Sequence, residues 1–252
     1  MKKIVIMGAS SGIGLAVAEA LASRGVRVGI AARRIEKLRE LKSRYPDFVE
    51  YETIDIDKED AESRLLHLIG RLGGMDIYFH VAGIGYENPG LHPAMETRIV
   101  QTNAVAFARM LSTAYRYLRG RGKGGQIAAI TSVAGTKGIG AMTAYSASKS
   151  FDQAYMVALD QLSRTENAGI SITDIRPGWT STPLLHENTQ YPLEMDLDYV
   201  LPQVLRAIVR RRRVAVIDWR WNIVTLLWRL IPDFLWVRMP LTKYFTGVKK
   251  TE

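Results

Sequence analysis

Lys3-Ile4-Val5-Ile6-Met7-Gly8-Ala9-Ser10-Ser11-Gly12-Ile13-Gly14 decides the architecture of this chain. A short apolar, β-branched run ends at a glycine, and the turn Gly-x-x-x-Gly-x-Gly then leads into Leu15 to Arg24, whose apolar residues recur at helical spacing. The pattern predicts a buried strand feeding a crossover helix. Glycines at that junction let backbone approach a ligand closely, and the N–H groups of the helix N-terminus face a negative charge there. The same start looks like a signal peptide for six residues, but the apolar run stops at Gly8, too short for an h-region.

The alternation continues outward from this junction. Strands are expected at Val26 to Ala31, Val49 to Ile54, Asp76 to His80, Gln126 to Ser132, Ile170 to Arg176 and Val214 to Ile217. Helices are expected at Ile35 to Tyr45, Glu59 to Leu72, about Pro93 to Leu118 and about Thr143 to Thr165. Near-continuous hydrophobicity along the strands requires helices on both sheet faces. The expectation is therefore one doubly wound α/β domain with a seven-stranded, mostly parallel sheet. The expected domain covers residues 1–218, followed by a basic aromatic extension at 219–252.

Composition narrows the function classes. The 252 residues contain no cysteine, which rules out disulfides and thiolate metal sites and favours a reducing cytoplasm. The formal charge is +9, and residues 206–252 alone carry eleven Lys/Arg against three Asp/Glu. A basic tail on a nearly neutral body lacks the basic reading element of a nucleic-acid binder, so no nucleic-acid partner is expected. His67, His80, His92 and His186 have no mutual ligand spacing, and no metal is expected.

Further along the chain, Ser132, Tyr145-x-x-x-Lys149 and Pro177-Gly178 follow the glycine-rich turn, with Asn103 in Gln101-Thr102-Asn103-Ala104 and Asp55 after the third strand. Taken together over residues 3 to about 183, these motifs resemble the short-chain dehydrogenase/reductase family. That resemblance implies a Rossmann-type domain binding a nicotinamide dinucleotide. The expected cofactor contacts are Gly8, Ser10, Ser11, Gly12, Ile13, Gly14, Arg33, Arg34, Asp55, Ile56, Ala82, Gly83, Tyr145, Lys149, Pro177, Gly178, Thr180 and Thr182. It also implies that Ser132 bonds the substrate oxygen, that Lys149 holds the nicotinamide ribose and that Asn103 supports a water relay. Two departures stand out. Met7 replaces the usual threonine, and His80-Val81-Ala82-Gly83 replaces Asn-Asn-Ala-Gly, a loss of side-chain hydrogen bonds expected to loosen the loops around the cofactor.

Cofactor choice is read from Ala31-Ala32-Arg33-Arg34, where an acidic residue would bond the adenosine ribose and repel a 2′-phosphate. Ala32 stands at that position and Arg33 follows it, so a guanidinium can bond a phosphate and NADP(H) is expected over NAD(H). Tyr145 and Lys149, one helical turn apart, put an ammonium beside a phenol. A phenol ordinarily titrates near 10, and lowering it about three units takes roughly 4 kcal/mol. One charge about 4 Å away supplies about that at an effective dielectric of about 20. Tyr145 is thereby expected to act as general acid in carbonyl reduction and base in alcohol oxidation. The alternative is a non-catalytic NADP-binding sensor on the same fold, which would have no need of Asn103, Ser132, Tyr145 and Lys149 together.

The resemblance also implies a substrate loop at 179–197, after Pro177-Gly178. Trp179-Thr180-Ser181-Thr182-Pro183-Leu184-Leu185, with Gly135 to Met142 and Ile84 to Tyr86, would then wall an apolar pocket suited to a lipophilic or acyl-type small-molecule substrate. The family resemblance implies a homodimer or homotetramer through the two long helices, with Phe107, Met110, Leu111, Phe151, Tyr155 and Met156 either at that interface or against the sheet. Trp219, Trp221, Trp228 and Trp236 follow Arg210-Arg211-Arg212-Arg213 in a tail too interrupted to span a bilayer. Residues 219–240 therefore suit peripheral contact with an anionic membrane or a lid or subunit interface, and the sequence leaves these readings open.

Overall fold

The computed structural model describes residues 2–183, 189–240 and 248–249. Seven parallel strands form one sheet in the order β3-β2-β1-β4-β5-β6-β8. They are β1 (Lys3–Met7), β2 (Arg27–Ala32), β3 (Val49–Thr53), β4 (Ile77–His80), β5 (Gly125–Ile130), β6 (Ile170–Arg176) and β8 (Val214–Val216). The sheet is parallel throughout rather than mostly so. The antiparallel pairing lies elsewhere, in a separate two-stranded ribbon of β7 (Thr189–Gln190) and β9 (Val248–Lys249).

Burial on both faces accounts for the apolar runs. Ile4 and Ile6 face a core shared with α1 (Gly12–Ala22), α2 (Ile35–Arg44) and α7 (Leu197–Val209). Val5 and Met7 face the other core, built with α3 (Ala61–Leu72), α5 (Phe107–Gly120) and α6 (Thr143–Thr165). This alternation is the period-two pleat of a strand covered on each side. Register brings Met7 beside Ala31 and His80, so the ends of β1, β2 and β4 lie level at one edge of the sheet. Strand order reverses between β1 and β4, which opens a crevice at that edge.

The helix expected over Pro93 to Leu118 is not uniform. It comprises α4 (Pro93–Val100), a π-helical turn over Gln101–Ala106, and α5. Thr143–Thr165 is the expected helix without change. α3 stops where Gly73 turns left-handed at φ 74°, with Gly74 N donating to Ile69 O at 2.8 Å.

Beyond β8 the chain forms α8 (Trp219–Leu230) and the short α9 (Asp233–Trp236). Trp221, Trp228 and Trp236 meet edge to face with centroids 6.2 and 5.4 Å apart, and Trp236 Nε1 donates to Gly138 O at 2.7 Å. Among the described residues no helix is long and apolar enough to cross a membrane. The run Arg210–Arg213 precedes β8 whereas α8 follows it, so the basic run and the tryptophan helix sit at opposite ends of that strand.

Candidate active site

Two adjoining depressions occupy the sheet edge where the strands end. The first is a cleft lined by Gly8, Ser10, Ser11, Gly12, Ile13, Arg33, Arg34, Asp55, Ile56, Ala82, Gly83 and Thr182. Gly8 adopts φ +97°, and a Cβ there would lie 2.5 Å from Ala82 N. At Gly14 a Cβ would come within 2.2 Å of Gly8 O, so this glycine seats α1 against the turn rather than lining the cleft. Ser11, at the N-cap of α1, makes no side-chain cap bond, and the first N–H groups of the helix remain available to an anion. Arg34 Nη2 donates to Ser10 Oγ at 3.0 Å and to Ser11 Oγ at 2.8 Å, while Arg33 is exposed at the rim. A close backbone turn, an uncapped helix start and two guanidinium groups together fit the phosphates of a dinucleotide.

The second depression is lined by Ser132, Tyr145, Pro177, Gly178, Trp179, Thr180 and Thr182, with Gly85, Tyr86, Ile139, Met142, Trp221 and Trp228. Pro177, Gly178 and Thr180 thus face this pocket rather than the glycine-rich cleft, whereas Thr182, Ile13, Tyr86 and Ile130 border both. Two buried polar atoms in the lining residues, Trp221 Nε1 and Glu87 Oε1, have no hydrogen-bond partner among the described residues. Leu184, Leu185 and His186 lie outside the described residues.

The loops at the cleft are held by main chain. Val81 N and Ala82 N both donate to Met7 O, at 2.8 and 2.9 Å, so the departures at Met7 and His80-Val81 do not leave this junction unpaired. His80 is fully buried, with Nδ1 2.9 Å from Tyr78 Oη. Burial, aided by the Lys149 charge, holds the His80 imidazole down to about 3, so the ring is neutral.

Asn103, in the π-helical turn, clamps the next loop. Its Oδ1 accepts from Ile84 N at 2.9 Å and its Nδ2 donates to Ile84 O at 2.7 Å and to Ser148 Oγ at 3.2 Å. Ser132 is buried at the end of β5, and its Oγ accepts from Ala134 N at 3.1 Å. Lys149 Nζ stands 6.0 Å from the Tyr145 ring centroid and donates to Asp152 Oδ2 at 2.9 Å. That ion pair is almost wholly buried. Burial acts to lower the Lys149 ammonium, but the charges of Asp152 and Tyr145 outweigh it and the net direction is upward. Burial pushes the Asp152 carboxyl up to about 6 against the pull of Lys149. Beneath them Asp174 accepts from Thr131 Oγ1 at 2.6 Å and from Arg176 Nε at 2.7 Å.

Asp152 is a member of this region that motif reading did not single out, whereas Trp221 and Trp228, named in the tail without a fixed place, line the pocket. Asp152 was legible in principle, three residues past Lys149 on the same helix face. The tryptophan contacts depend on where α8 packs. Among the described residues no cluster of His, Cys, Asp and Glu could hold a metal.

The chain matches the family model described as short chain dehydrogenase over residues 2–192. An uncharacterized oxidoreductase of Mycobacterium tuberculosis is 34% identical over 245 residues, which cover 92% of this chain and 94% of that protein. A glycine betaine reductase of Emericella nidulans is 35% identical over 194 residues, 75% of this chain, yet the chain spans only 15% of that longer protein. Among solved structures, an alcohol dehydrogenase from the archaeon Thermococcus sibiricus complexed with 5-hydroxy-NADP superposes with a TM-score of 0.73 at 25% identity, over 86% of this chain and 94% of that one. The glycine-rich cleft, the adjoining pocket with Ser132 and Tyr145 in its wall, and these matches lead to one assignment: the chain belongs to the short-chain dehydrogenase family of oxidoreductases.

Proposed function

We propose that this protein reduces a carbonyl, or oxidises the corresponding secondary alcohol, of a lipophilic substrate with NADP(H). One observation carries the reading: Tyr145 and Ser132 line the same apolar pocket, which adjoins a cleft built of the glycine-rich turn, the start of α1 and two arginines. A nicotinamide dinucleotide held in the cleft by the glycine-rich turn, the start of α1, Arg33 and Arg34 would supply the hydride for reduction and accept it in oxidation. Tyr145 gives its phenolic proton to the carbonyl oxygen in reduction and takes the hydroxyl proton in oxidation. Ser132 Oγ donates to the same oxygen, holding it in line with the phenol. Lys149 steadies the phenolate by its charge from behind the ring. Asn103 shapes the floor by fixing Ile84, with both ends of its amide engaged by that backbone.

Arg33 and Arg34 favour the 2′-phosphate of NADP, because Ala32 offers no carboxylate to bond a ribose hydroxyl. The pocket wall of Trp179, Ile139, Met142, Trp221 and Trp228 favours a substrate with substantial apolar surface next to its reacting carbon. The test is a panel of ketones and secondary alcohols assayed with NADPH, NADH and their oxidised forms. Tyr145→Phe is expected to lower kcat at least about a thousandfold while cofactor Kd changes less than about threefold. Turnover retained by Tyr145→Phe overturns the mechanism, and higher kcat/KM with NAD(H) overturns the cofactor assignment.

A further inference from the structure

The two faces of α8 differ in chemistry. Trp221 and Trp228 turn inward and line the substrate pocket, and Thr225 is buried with them. Trp219, Ile223, Leu226, Leu227 and Leu230 recur at intervals of three and four residues, so they form one stripe along the opposite side. All five are exposed, Leu230 to 72%. The stripe continues past the helix through Phe234, Leu235, Val237 and Met239, with Val237 exposed to 77%. Nine large apolar side chains in one run exceed the scattered exposure normal for a water-facing surface.

The charges around the stripe select its partner. Around the stripe Arg220 pairs with Asp218 and Asp233 pairs with Lys137, which leaves the exposed Arg229 and Arg238 as the charges beside it. A second copy of the chain would bring the same arginines against these. Anionic lipid headgroups complement them while the acyl boundary takes the leucines. Twelve helical residues extend about 18 Å against a hydrocarbon core of about 30 Å, so α8 fits within the interface plane and does not cross it. Trp219 is of the aromatic type that settles at the headgroup boundary, and Phe234 joins the leucines on the inserting face.

We propose that the outer face of α8 and α9 docks on an anionic membrane surface, setting the substrate pocket against the lipid. Because the same helix walls the pocket from inside, docking brings the wall residues Trp221 and Trp228 next to the bilayer. The substrate class that follows is a carbonyl or alcohol dissolved in the membrane, a step that rests on the oxidoreductase reading above. The docking itself does not.

The experiment is co-sedimentation of the full chain with vesicles of phosphatidylcholine alone or mixed with phosphatidylglycerol, at about 0.05 M and about 0.5 M salt. Most of the protein is expected to pellet with the mixed vesicles at low salt and several-fold less at high salt or with phosphatidylcholine alone. The double variant Leu226→Glu, Leu227→Glu should bind at least about fivefold less while keeping its Tm and its turnover of a water-soluble ketone, since neither leucine lines the pocket. Absence of binding by the intact chain, or equal binding by the double variant, overturns the proposal. So does a lipid-independent dimer that the double variant dissociates, which would make this face a contact between copies. Since binding is read without turnover, loss of the enzymatic reading and loss of the docking reading remain distinct results.

Discussion

Asp152 changes what Lys149 does to its neighbours. An ammonium behind a phenol stabilises the phenolate, but a carboxylate 2.9 Å from that ammonium cancels part of its field. The other groups around the pair do not restore it: His80 is neutral, and Asp174 is bonded by Arg176 and Thr131. On the proposed mechanism Asp152 is a positioning residue that acts through Lys149. With its carboxyl pushed up to about 6, it is ionised and opposes Lys149 only above about pH 6. Asp152→Asn should move the midpoint of the pH–rate profile for alcohol oxidation down by roughly one unit, the scale expected for the loss of one nearby countercharge at an effective dielectric of about 20. Tm should fall as well, because a buried ammonium loses its partner. A lower Tm with an unmoved midpoint would reduce Asp152 to packing.

Within elements, the departures from regular helix and loop coincide with the site. The π-helical turn over Gln101–Ala106 interrupts what the apolar spacing presents as one long helix, and it carries Asn103. A π turn arises where tertiary contacts take up the extra residue, here the paired bonds between Asn103 and Ile84, so it leaves no period in the sequence. The turn Pro177-Gly178 shows the same dependence. A Cβ at Gly178 would lie 2.1 Å from Trp221 Nε1, so the indole rests on that glycine and locks α8 to the end of β6. Gly178→Ala should displace the ring at a cost of about 1–3 kcal/mol, a Tm lower by roughly 3–10 °C. Tryptophan emission should shift to the red and KM for an apolar substrate should rise. An unchanged emission spectrum would mean that α8 accommodates the methyl without moving.

For the whole molecule, the question of assembly turns on which apolar residues the sheet leaves outside. Phe107, Met110, Leu111 and Met156 are buried within one subunit, so for these four packing against the sheet is the one of the two placements open from sequence that the structure shows. On α6, Phe151 and Leu162 are exposed and share a face with half-buried Tyr155, on which Phe151 stacks at 5.8 Å. A homodimer or homotetramer joined through this face is the reading these residues support. Phe151→Arg should then shift the mass seen by light scattering toward the monomer at micromolar concentration, and a wild-type monomer under the same conditions removes the proposal. The sequence by itself determined the parallel α/β sheet, because an apolar run closed by glycine and followed by a helical period buries well in no other way. It also determined the candidate residues at the strand ends, because the turn, Ser132 and the Tyr145-Lys149 spacing are local patterns. Packing decided what those patterns omit: the π turn under Asn103, the carboxylate under Lys149, and which side of α8 faces the pocket. In α8 tryptophan and leucine are both apolar, and composition assigns neither to the inside. The space left beside Gly178 admits the flat indole of Trp221, and helical periodicity then carries the leucines to the outside.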